Sequence, residues 1–369
     1  MKEVVIFAPI YTKLPVDGYG AIEKITLERA KHLRELGYKV QIIANLEQTG
    51  IADEILSPNV STKLPSNKTE EMIWLATLKW RRYLANYIRL KDRIWDAPIL
   101  SDESSIDPFN NYFLSKNMQP RKLLYYLHGN YYFSNNISKY LFQPLDKVLG
   151  STSKTLYGTL NKHLLYEFEK RHLPAYYMPN GMVFPERESI EKNSNENYLL
   201  FVGGIKRVKA PHIAIQIARK IKMKLIIVGP IQEAAYFNEK VKPNLNNDIQ
   251  YKGEISRNEL NQIFSHASAL LFTSEWDDPQ PTVVLEAMSF GVPVLALNYG
   301  YYSGIYEMIR NFKNGFIGST VDIVNNYESI INLRKLDVYD YTKMNWSWDY
   351  ILKKYHIPVI EKMRDAKVQ

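Results

Sequence analysis

The chain has 369 residues, more than one hydrophobic core usually organises, so two domains are the first expectation. Its composition, 46% hydrophobic and 23% charged with no cysteine, is typical of globular proteins and excludes disulfides and thiolate metal sites. The net charge of +8 favours anionic partners, namely nucleotides, phospholipid surfaces or nucleic acid, without choosing among them.

The first half begins with a strand, a helix and a strand. Residues 3–9 (EVVIFAP) form a short apolar, β-branched run that predicts a buried strand. A long loop with Gly18 and Gly20 follows. The apolar spacing over 22–36 then predicts a helix, and 39–45 (KVQIIAN) predicts a second strand. This order with a short return predicts a parallel βαβ unit.

Residues 68–95 predict a long helix rich in Trp, Tyr, Arg and Lys. Two interpretations stay open: an amphipathic helix packed on its own domain, or a helix that faces an acceptor or a membrane surface. No apolar run approaches the roughly eighteen residues that span a membrane, and the N-terminal MKEVVIFAPIY lacks the pattern of a secretory signal. We therefore expect a cytoplasmic protein, and peripheral contact with the inner face of the membrane is left open.

The second half repeats this alternation of strands and helices. A strand at 197–204 (NYLLFVGG) runs into a glycine turn, and Pro211 opens a helix that ends near Lys222. The polar stretch 184–197 is interpreted as a linker. The pattern predicts two doubly wound α/β halves. Further strands of the second half are predicted at 223–229, 269–274 and 293–298.

Seven stretches occur in an order and spacing that are specific. They are PVDGYGAIEKITLERAKHLRELGYKVQIIAN, LDKVLGSTSKT, YMPNGMVF, LLFVGGIKRVKAPHIAIQIA, YKGEISRNELNQIFSHASALLFTS, DDPQPTVVLEAMSFGVPVLA and NWSWDYILKKY. Together they resemble the nucleotide-sugar glycosyltransferases of the GT-B fold, specifically the retaining family 4, over almost the whole chain. The resemblance implies two Rossmann-like doubly wound domains that face a central cleft. They are 1–185 on the acceptor side and 186–347 on the donor side, with a C-terminal helix, about 348–369, crossing back to the first domain.

Glu286 is a single acid in an apolar run, at the start of a predicted helix with Thr282 as a candidate N-cap. A carboxylate there can complement the helix dipole, or it can accept hydrogen bonds from both ribose hydroxyls of a nucleotide. Ligands of open α/β sheets bind at the carboxyl ends of the strands. The resemblance implies the ribose role for Glu286.

Asp278 holds a position where the family usually has Glu, and the resemblance implies a catalytic role in contact with the sugar. Its shorter side chain leaves that contact open, and Glu275 or Asp277 is available as a substitute. Two other interpretations remain: solvation of a loop bent by prolines, and a metal site. Two adjacent acids without a nearby histidine are weak metal ligands. The resemblance implies no bound metal and no cofactor.

The turn GGIKRVK brings cations to the predicted diphosphate. The resemblance implies that Lys209 stabilises the leaving group as a point charge, with backbone N–H groups of Gly203, Gly204 and the next helix assisting. The family often has Arg directly after the first glycine, where this chain has Gly204. Lys206 or Arg207 is the expected replacement. A solvated basic turn is the alternative interpretation.

Gly18 and Gly20 lie in the loop after the first strand, where glycine lets the backbone approach a donor phosphate or sugar. A dinucleotide fingerprint is the competing interpretation of GYGAIE. It requires a third glycine where the chain has Glu23, and a shorter loop.

His128 ends the apolar run LLYYLHG, at the predicted carboxyl end of a strand. A lone histidine is usually structural, but the resemblance matches it to a histidine that lines the sugar pocket and implies a catalytic role. The resemblance assigns further donor contacts to backbone groups around the base and the sugar or phosphate. These are Gly253, Glu254 and Ile255 at the base, and Tyr301, Tyr302, Ser303 and Gly304 at the sugar or phosphate, with Glu307 as the matching acid.

The sequence therefore predicts a retaining, metal-independent glycosyltransferase. Its donor would be a nucleoside-diphosphate sugar, such as a UDP- or GDP-sugar, and its acceptor a glycan, a glycolipid or another sugar- or lipid-linked molecule. Two alternatives stay open: a catalytically inactive nucleotide-sugar-binding or scaffold protein, and a nucleotide-sugar epimerase of the same fold. Nucleic-acid binding rests on net charge alone, so no nucleic-acid partner is expected.

Overall fold

The computed structural model describes residues 2–8, 14, 21–44, 50–56, 97–102, 123–128, 156–192, 196–299 and 303–365. The chain divides into two compact units, Met1–Gly181 with Ile351–Gln369, and Met182–Tyr350. The helix predicted over 68–95 lies outside the described residues, as do Gly18 and Gly20. Within the described ranges, no helix combines the length and apolarity needed to cross a bilayer.

The described part of the first unit contains one parallel sheet. Its strands are β1 (Lys2–Phe7), β2 (Tyr38–Ile43), β3 (Glu54–Leu56), β4 (Ile99–Ser101), β5 (Leu123–Leu127), β6 (Leu156–Thr159) and β7 (Ala175–Tyr177). They lie in the order β3-β2-β1-β4-β5-β6-β7. Val4, Val5 and Ile6 are fully buried, as expected of a strand covered on both faces. Helix α1 (Ala21–Glu35) connects β1 to β2, which confirms the predicted βαβ unit, and α2 (Lys162–Glu169) connects β6 to β7.

The buried face of α1 is not wholly apolar. Ile25, Ala30 and Leu33 pack into the core, but Thr26 and Arg29 are fully buried on the same helix. Arginine is almost never fully buried unless it is paired. The helix therefore places the Arg29 guanidinium in the interior of the first unit, where polar side chains contact it.

The described part of the second unit also contains one parallel sheet. Its strands are β8 (Tyr198–Val202), β9 (Lys224–Val228), β10 (Ile249–Tyr251), β11 (Ala269–Phe272), β12 (Val294–Leu297) and β13 (Gly315–Gly318). They lie in the order β10-β9-β8-β11-β12-β13. With helices between the strands, both units are α/β and Rossmann-like, which confirms the predicted fold class. The helices are α3 (Arg187–Lys192), α4 (Pro211–Ile221), α5 (Ala234–Tyr236), α6 (Arg257–His266), α7 (Thr282–Ser289), α8 (Ile305–Met308), α9 (Thr320–Ile331), α10 (Lys335–Trp346) and α11 (Trp348–Ile351).

The stretch 184–197, interpreted as a linker, is largely structured within the second unit. It contains α3, and the boundary between the units falls earlier, after Gly181. Arg187 Nη2 lies 2.8 Å from Asp340 Oδ2, and the hydroxyl of Tyr339 donates to the carbonyl of Pro185 at 2.6 Å. The linker interpretation is wrong for residues 184–192, because contacts with α10 order a segment that has few apolar side chains.

The described C-terminal segment belongs to the first unit. A π-helical turn, Leu352–His356, leads into α12 (Ile357–Asp365). Glu361 in α12 accepts a hydrogen bond from the hydroxyl of Tyr38, and Lys2 Nζ lies 2.9 Å from its Oε1. The segment is thereby tied to the first residues of β1 and β2.

Candidate active site

The sheet of the second unit changes winding direction at β8. Strands β9 and β10 lie on one side of β8, and β11, β12 and β13 lie on the other. In open parallel sheets, ligands bind at the carboxyl ends of the strands at such a point. The loops that follow β8 and β11 leave the sheet there, so residues 203–210 and 273–281 frame the candidate site.

Hydrogen bonds hold these two loops together. The N–H of Glu275 donates to the carbonyl of Val208 at 2.7 Å, and Oγ1 of the fully buried Thr273 donates to the carbonyl of Ala210 at 3.0 Å. The basic loop after β8 and the acidic loop after β11 therefore keep a fixed register.

Lys209 in the basic loop and Asp278 in the acidic loop form an ion pair. Nζ of Lys209 lies 3.2 Å from Oδ2 of Asp278, and the two side chains retain 21% and 24% exposure. Partial exposure leaves both charges reachable by a ligand, while the pairing orients them. The structure thus brings together the cation predicted for the diphosphate and the acid predicted for the sugar.

The two neighbouring acids act on other groups. Burial, together with the charge of Asp277, raises the pKa of Tyr306. Burial lowers the pKa of His212, and the charge of Glu275 opposes that shift. The contact with Lys209 distinguishes Asp278 from both neighbours.

Glu286 lies in the second turn of α7 rather than at its start. The N-cap is Pro281 and Thr282 is the first helical residue, so the predicted N-cap role of Thr282 is wrong. A proline disfavours helical geometry in the residue before it, here Gln280, and Pro281 itself is extended with a ψ of 107°, so the helix starts at Thr282. Oε1 of Glu286 lies 3.2 Å from Nη1 of Arg257, a residue that the sequence analysis missed.

Arg257 is the first residue of α6 and follows the predicted base-binding stretch. A capping box formed by Ser256 and Glu259 fixes this helix start. The positive end of the helix dipole disfavours a cation in the first turn, and the ion pair with Glu286 offsets that cost. A basic residue at a predicted helix start is unfavourable, and this was the signal in the sequence that Arg257 has an acidic partner. Glu286 keeps 18% exposure beside it, so its carboxylate stays accessible.

Gly204 cannot accept a side chain unless its surroundings shift. A Cβ there would lie 2.3 Å from Oε1 of Gln232, in the loop after β9. Gln232 therefore occupies the space of the cation that the family often has at this position. Arg207, an expected replacement, lies over the ring of Tyr236 with 5.5 Å from the guanidinium carbon to the ring centroid. Lys206 precedes the 3₁₀ turn Arg207–Lys209 as its N-cap.

The backbone amides expected at the diphosphate are partly engaged within the protein. The N–H of Gly203 donates to the carbonyl of Val228 at 3.0 Å and so extends the sheet. At the start of α4, Pro211 has no N–H, and the N–H of His212 donates to the hydroxyl of Tyr236 at 3.4 Å. The N–H groups of Gly203 and His212 are therefore already engaged within the protein.

The predicted base-binding residues follow β10. The carbonyl of Gly253 accepts a hydrogen bond from the N–H of Gly229 at 2.8 Å, which ties the loop after β10 to the loop after β9. Gly253 has a φ of 74°, a conformation that favours glycine. Glu254 and Ile255 then lead to the start of α6, beside the ion pair with Glu286.

Gly304 is pressed against the acidic loop. Its N–H donates to the carbonyl of Asp278 at 2.9 Å, and a Cβ there would lie 2.1 Å from the carbonyl oxygen of Pro279. Ser303 is buried beside it, and Glu307 lies in α8. The structure therefore joins Gly304 to Asp278. Tyr301 and Tyr302 lie outside the described residues.

Five residues of the first unit form a second polar group, which we call the Arg29 cluster. Nε2 of His128, after β5, lies 2.9 Å from Oδ1 of Asp102, after β4. Nη1 of Arg29 lies 2.6 Å from that oxygen, and its Nη2 donates to Oδ1 of Asn180 at 3.0 Å. The ring of Tyr126 lies 3.8 Å from the guanidinium carbon. Sequence analysis had singled out only His128 as a site residue, although Asn180 lies in the YMPNGMVF stretch.

Asp102 and Arg29 are both ionised within the Arg29 cluster. Burial opposes the charge of Asp102, but Arg29 and the hydrogen bond from His128 outweigh it and lower the pKa of Asp102 to about 2. Burial also opposes the charge of Arg29, yet Asp102 raises the pKa of Arg29 above its ordinary value. A buried carboxylate and a buried guanidinium thus face each other at neutral pH.

Tyr126 also contacts the C-terminal segment. Its hydroxyl lies 3.0 Å from Nδ1 of His356, and Nε2 of His356 lies 2.8 Å from the carbonyl of Pro179. Because a carbonyl only accepts, Nε2 carries the hydrogen and Nδ1 accepts from Tyr126. Burial, assisted by the charge of Arg29, lowers the pKa of His356 to about 3. A neutral histidine therefore joins β5 to the turn at Pro179.

Sequence comparison supports a defined domain in the second unit. Residues 183–339 match the family model of glycosyl transferases group 1. A curated relative, spore coat protein SA of Bacillus subtilis (strain 168), is 24% identical over 150 residues, which is 36% of this chain. The match covers 38% of that relative's length.

Solved structures are similar over the whole chain. AviGT4, a glycosyltransferase involved in avilamycin A biosynthesis, gives a TM-score of 0.68 at 15% identity, covering 100% of this chain and 99% of that one. Anabaena Alr3699/HepE in complex with UDP and glucose gives 0.69 at 14%, covering 99% and 100%. A glycosyltransferase from Rickettsia africae ESF-5 gives 0.69 at 17%, covering 99% of each chain. The chain therefore has the fold of the GT-B glycosyltransferases, and residues 183–339, in its second unit, match the glycosyl transferases group 1 model.

Proposed function

We propose that this chain transfers a sugar from a nucleoside-diphosphate sugar to an acceptor hydroxyl, with retention of configuration at the anomeric carbon. The observation that carries the proposal is the 3.2 Å ion pair of Lys209 and Asp278, which lies at the edge where the sheet changes winding direction. The matched domain supports this chemistry. Anabaena Alr3699/HepE has been solved with UDP and with UDP-glucose, which favours uridine donors as the first to test.

Lys209 acts on the leaving group. Breaking the bond between the anomeric carbon and the diphosphate builds negative charge on the phosphate oxygens. A lysine fixed beside them stabilises that charge in the transition state, and such a contact is worth roughly 3 kcal/mol. Asp278 orients Lys209 and contacts the transferred sugar.

Glu286 holds the nucleoside. Its carboxylate accepts hydrogen bonds from both ribose hydroxyls, each a charge-assisted bond. The ion pair with Arg257 keeps that carboxylate beside the residues proposed for the base, Gly253, Glu254 and Ile255. Ribose and base are thereby bound by adjoining parts of the same sheet edge.

The acceptor hydroxyl attacks from the face that the diphosphate leaves. The departing phosphate then takes the proton of the attacking hydroxyl, so the step balances without a protein base. Lys209 neutralises the charge of the leaving group, and the reaction requires no metal or cofactor. His128 forms a hydrogen bond with a substrate hydroxyl.

The acceptor belongs to the class of glycans and lipid-linked sugars. Among the similar structures, S. aureus TarM has been solved with α-GlcNAc-glycerol and UDP, and WaaG is a glycosyltransferase involved in lipopolysaccharide biosynthesis. These relatives support a hydroxyl-bearing sugar or polyol. A cytoplasmic location and peripheral membrane contact remain predictions from composition.

A nucleotide-sugar-binding protein without transfer activity is the second candidate. Two observations favour it: Asp278 is shorter than the family's usual Glu, and Gln232 fills the space above Gly204 where the family often has Arg. Both features reduce the number of contacts that can stabilise the transition state of sugar transfer. They leave the ribose contact of Glu286 unaffected.

A donor panel separates the candidates. The purified chain is incubated with individual UDP- and GDP-sugars, and nucleoside diphosphate release is measured with and without EDTA, beside a Lys209→Met variant. Release from one donor that survives EDTA and is lost in Lys209→Met supports the transferase. Donor binding by calorimetry with no release supports the binding protein. Conversion of the donor to an epimer, seen by chromatography, supports the epimerase, and loss of release with EDTA contradicts metal independence.

A further inference from the structure

The contact between His128 and Asp102 defines which imidazole nitrogen carries hydrogen. Nε2 of His128 lies 2.9 Å from Oδ1 of Asp102, and Asp102 is fully buried. An ionised carboxylate only accepts hydrogen bonds, so Nε2 must donate. In the neutral imidazole Nδ1 is then the unprotonated nitrogen and acts as an acceptor.

Thr26 and the other residues of the Arg29 cluster hold this carboxylate in place. Nη1 of Arg29 lies 2.6 Å from both oxygens of Asp102, and Oγ1 of Thr26 donates to Oδ2 at 3.0 Å. Arg29 is itself fixed by Asn180 Oδ1 at 3.0 Å and by the ring of Tyr126. Asp102 therefore has little freedom to rotate away from His128.

A buried ion pair is weak evidence for a purely stabilising role. Desolvation of two charges costs several kcal/mol per ion, and apolar replacements of such pairs are often neutral or stabilising by about 1–4 kcal/mol. Here the side chains of Arg29 and Asp102 are both fully buried. A buried Arg29–Asp102 ion pair is explained if the reaction requires His128 in one defined orientation.

The other imidazole nitrogen of His128, Nδ1, is the candidate contact for a ligand. Among the described residues, no hydrogen-bond partner is found for Nδ1, and the side chain keeps only 4% exposure. The residue follows β5, at the carboxyl edge of its sheet. A substrate hydroxyl that reaches Nδ1 would therefore meet an oriented acceptor.

We propose that Asp102, held by Arg29, is a positioning residue that fixes the Nε2–H tautomer of His128 and so presents Nδ1 to accept a hydrogen bond from a sugar hydroxyl. This inference rests on the proposed function for the identity of the substrate. The tautomer itself does not depend on turnover.

The tautomer is tested by nitrogen NMR on the full chain labelled with ¹⁵N-histidine, at pH 8. A His128→Gln variant identifies the His128 signals. We expect a protonated Nε2 and an unprotonated Nδ1 in the wild type, and a shift toward the other tautomer in Asp102→Asn. A protonated Nδ1 in the wild type, or an unchanged tautomer in Asp102→Asn, overturns the proposal.

Steady-state kinetics then test whether the tautomer of His128 affects sugar transfer. We expect Asp102→Asn to lower kcat about 10- to 100-fold while the donor KM stays within twofold, and Asp102→Glu to restore part of the loss. Added to His128→Ala, Asp102→Asn should cost nothing further. An additive loss contradicts positioning and indicates a structural role.

Two controls keep these outcomes distinct. If Asp102→Asn unfolds because Arg29 loses its counter-charge, the Arg29→Met, Asp102→Asn double variant removes both charges and is measured instead, after a thermal melt confirms that it folds. If the wild type releases no nucleotide from any donor, the proposed function fails, and the NMR result still decides the role of Asp102.

Discussion

Nη1 of Arg257 and Oε1 of Glu286 lie 3.2 Å apart, and this ion pair joins the start of α6 to the second turn of α7. Helix α6 follows the residues proposed for the base, and Glu286 is proposed for the ribose. One contact therefore couples both halves of the proposed nucleoside site. The motifs of the sequence predicted these halves separately.

Arg257→Ala should weaken binding of UDP, because Glu286 loses the cation that orients it. Arg257 is 43% exposed, so solvent screening limits the effect to about 1 kcal/mol, roughly fivefold in Kd, and less at high salt. Glu286→Ala should cost more, about 100-fold, since both ribose bonds disappear. Calorimetry measures each Kd.

Arg334→Ala is the matched control for Arg257. Arg334 is an exposed arginine paired with Asp337 at 2.6 Å near the start of another helix, α10. Its loss should leave the Kd for UDP unchanged. Equal Kd values for Arg257→Ala and the wild type would refute the coupling.

Asp278 variants test whether this shorter acid still serves the sugar. Asp278→Asn keeps the size but removes the charge beside Lys209, and we expect donor turnover to fall about 100-fold. Asp278→Glu lengthens the side chain by one methylene and should retain activity. Steady-state nucleotide release measures both. Full activity in Asp278→Asn would remove Asp278 from the proposed mechanism.

Gly304→Ala should destabilise the second unit and reduce activity together. The new Cβ would lie 2.1 Å from the carbonyl oxygen of Pro279, so the backbone beside Asp278 must move. We expect a loss of about 1–3 kcal/mol in the free energy of unfolding. Urea unfolding measures it, with Gly203→Ala as control, since its Cβ meets nothing closer than 3.8 Å. Equal stability of the two variants would contradict the predicted clash.

His356 makes the stability of the first unit pH-dependent. Its pKa is about 3 in the folded chain and near 6.5 when unfolded, so below pH 6.5 only the unfolded chain binds the extra proton. The contribution of neutral His356 to the free energy of unfolding is fully present above pH 6.5. It is lost as pH falls from 6.5 toward 3, by up to about 1.4 kcal/mol per pH unit.

Urea unfolding of the wild type and of His356→Gln between pH 7.5 and 5 measures that contribution. Glutamine can both donate to Pro179 and accept from Tyr126, so it replaces the two hydrogen bonds without titrating. The slope against pH should be smaller in the variant. Identical slopes would show that His356 is protonated in the folded state or does not govern this transition.

The strands and the βαβ units were predictable because short apolar, β-branched runs have few alternatives to a buried parallel strand. Lys209 and Asp278 were predictable as separate site residues from their motifs. Their contact depends on the register of two loops that are far apart in sequence, and on bonds such as that from Thr273 to Ala210. That register is a tertiary property.

The Arg29 cluster was not predictable, since an arginine on a helix is usually a solvated residue. The burial of Arg29 depends on tertiary structure, because the fold brings Asp102, which follows a short strand, against α1. Gln232 likewise fills the space above Gly204 from a different loop. The start of α7 was predicted one residue late, because Pro281 rather than Thr282 takes the N-cap position.

The first unit is assembled from two segments of the chain, Met1–Gly181 and Ile351–Gln369, with the second unit encoded between them. During synthesis, the second unit is therefore complete before His356 can reach Tyr126 or Glu361 can reach Tyr38. A nascent chain stalled at residue 350 would have a complete second unit and a first unit without these contacts. Domains that are continuous in sequence can fold in order of synthesis. Here the contacts of His356 and Glu361 can form within the first unit only after the second unit has been synthesised.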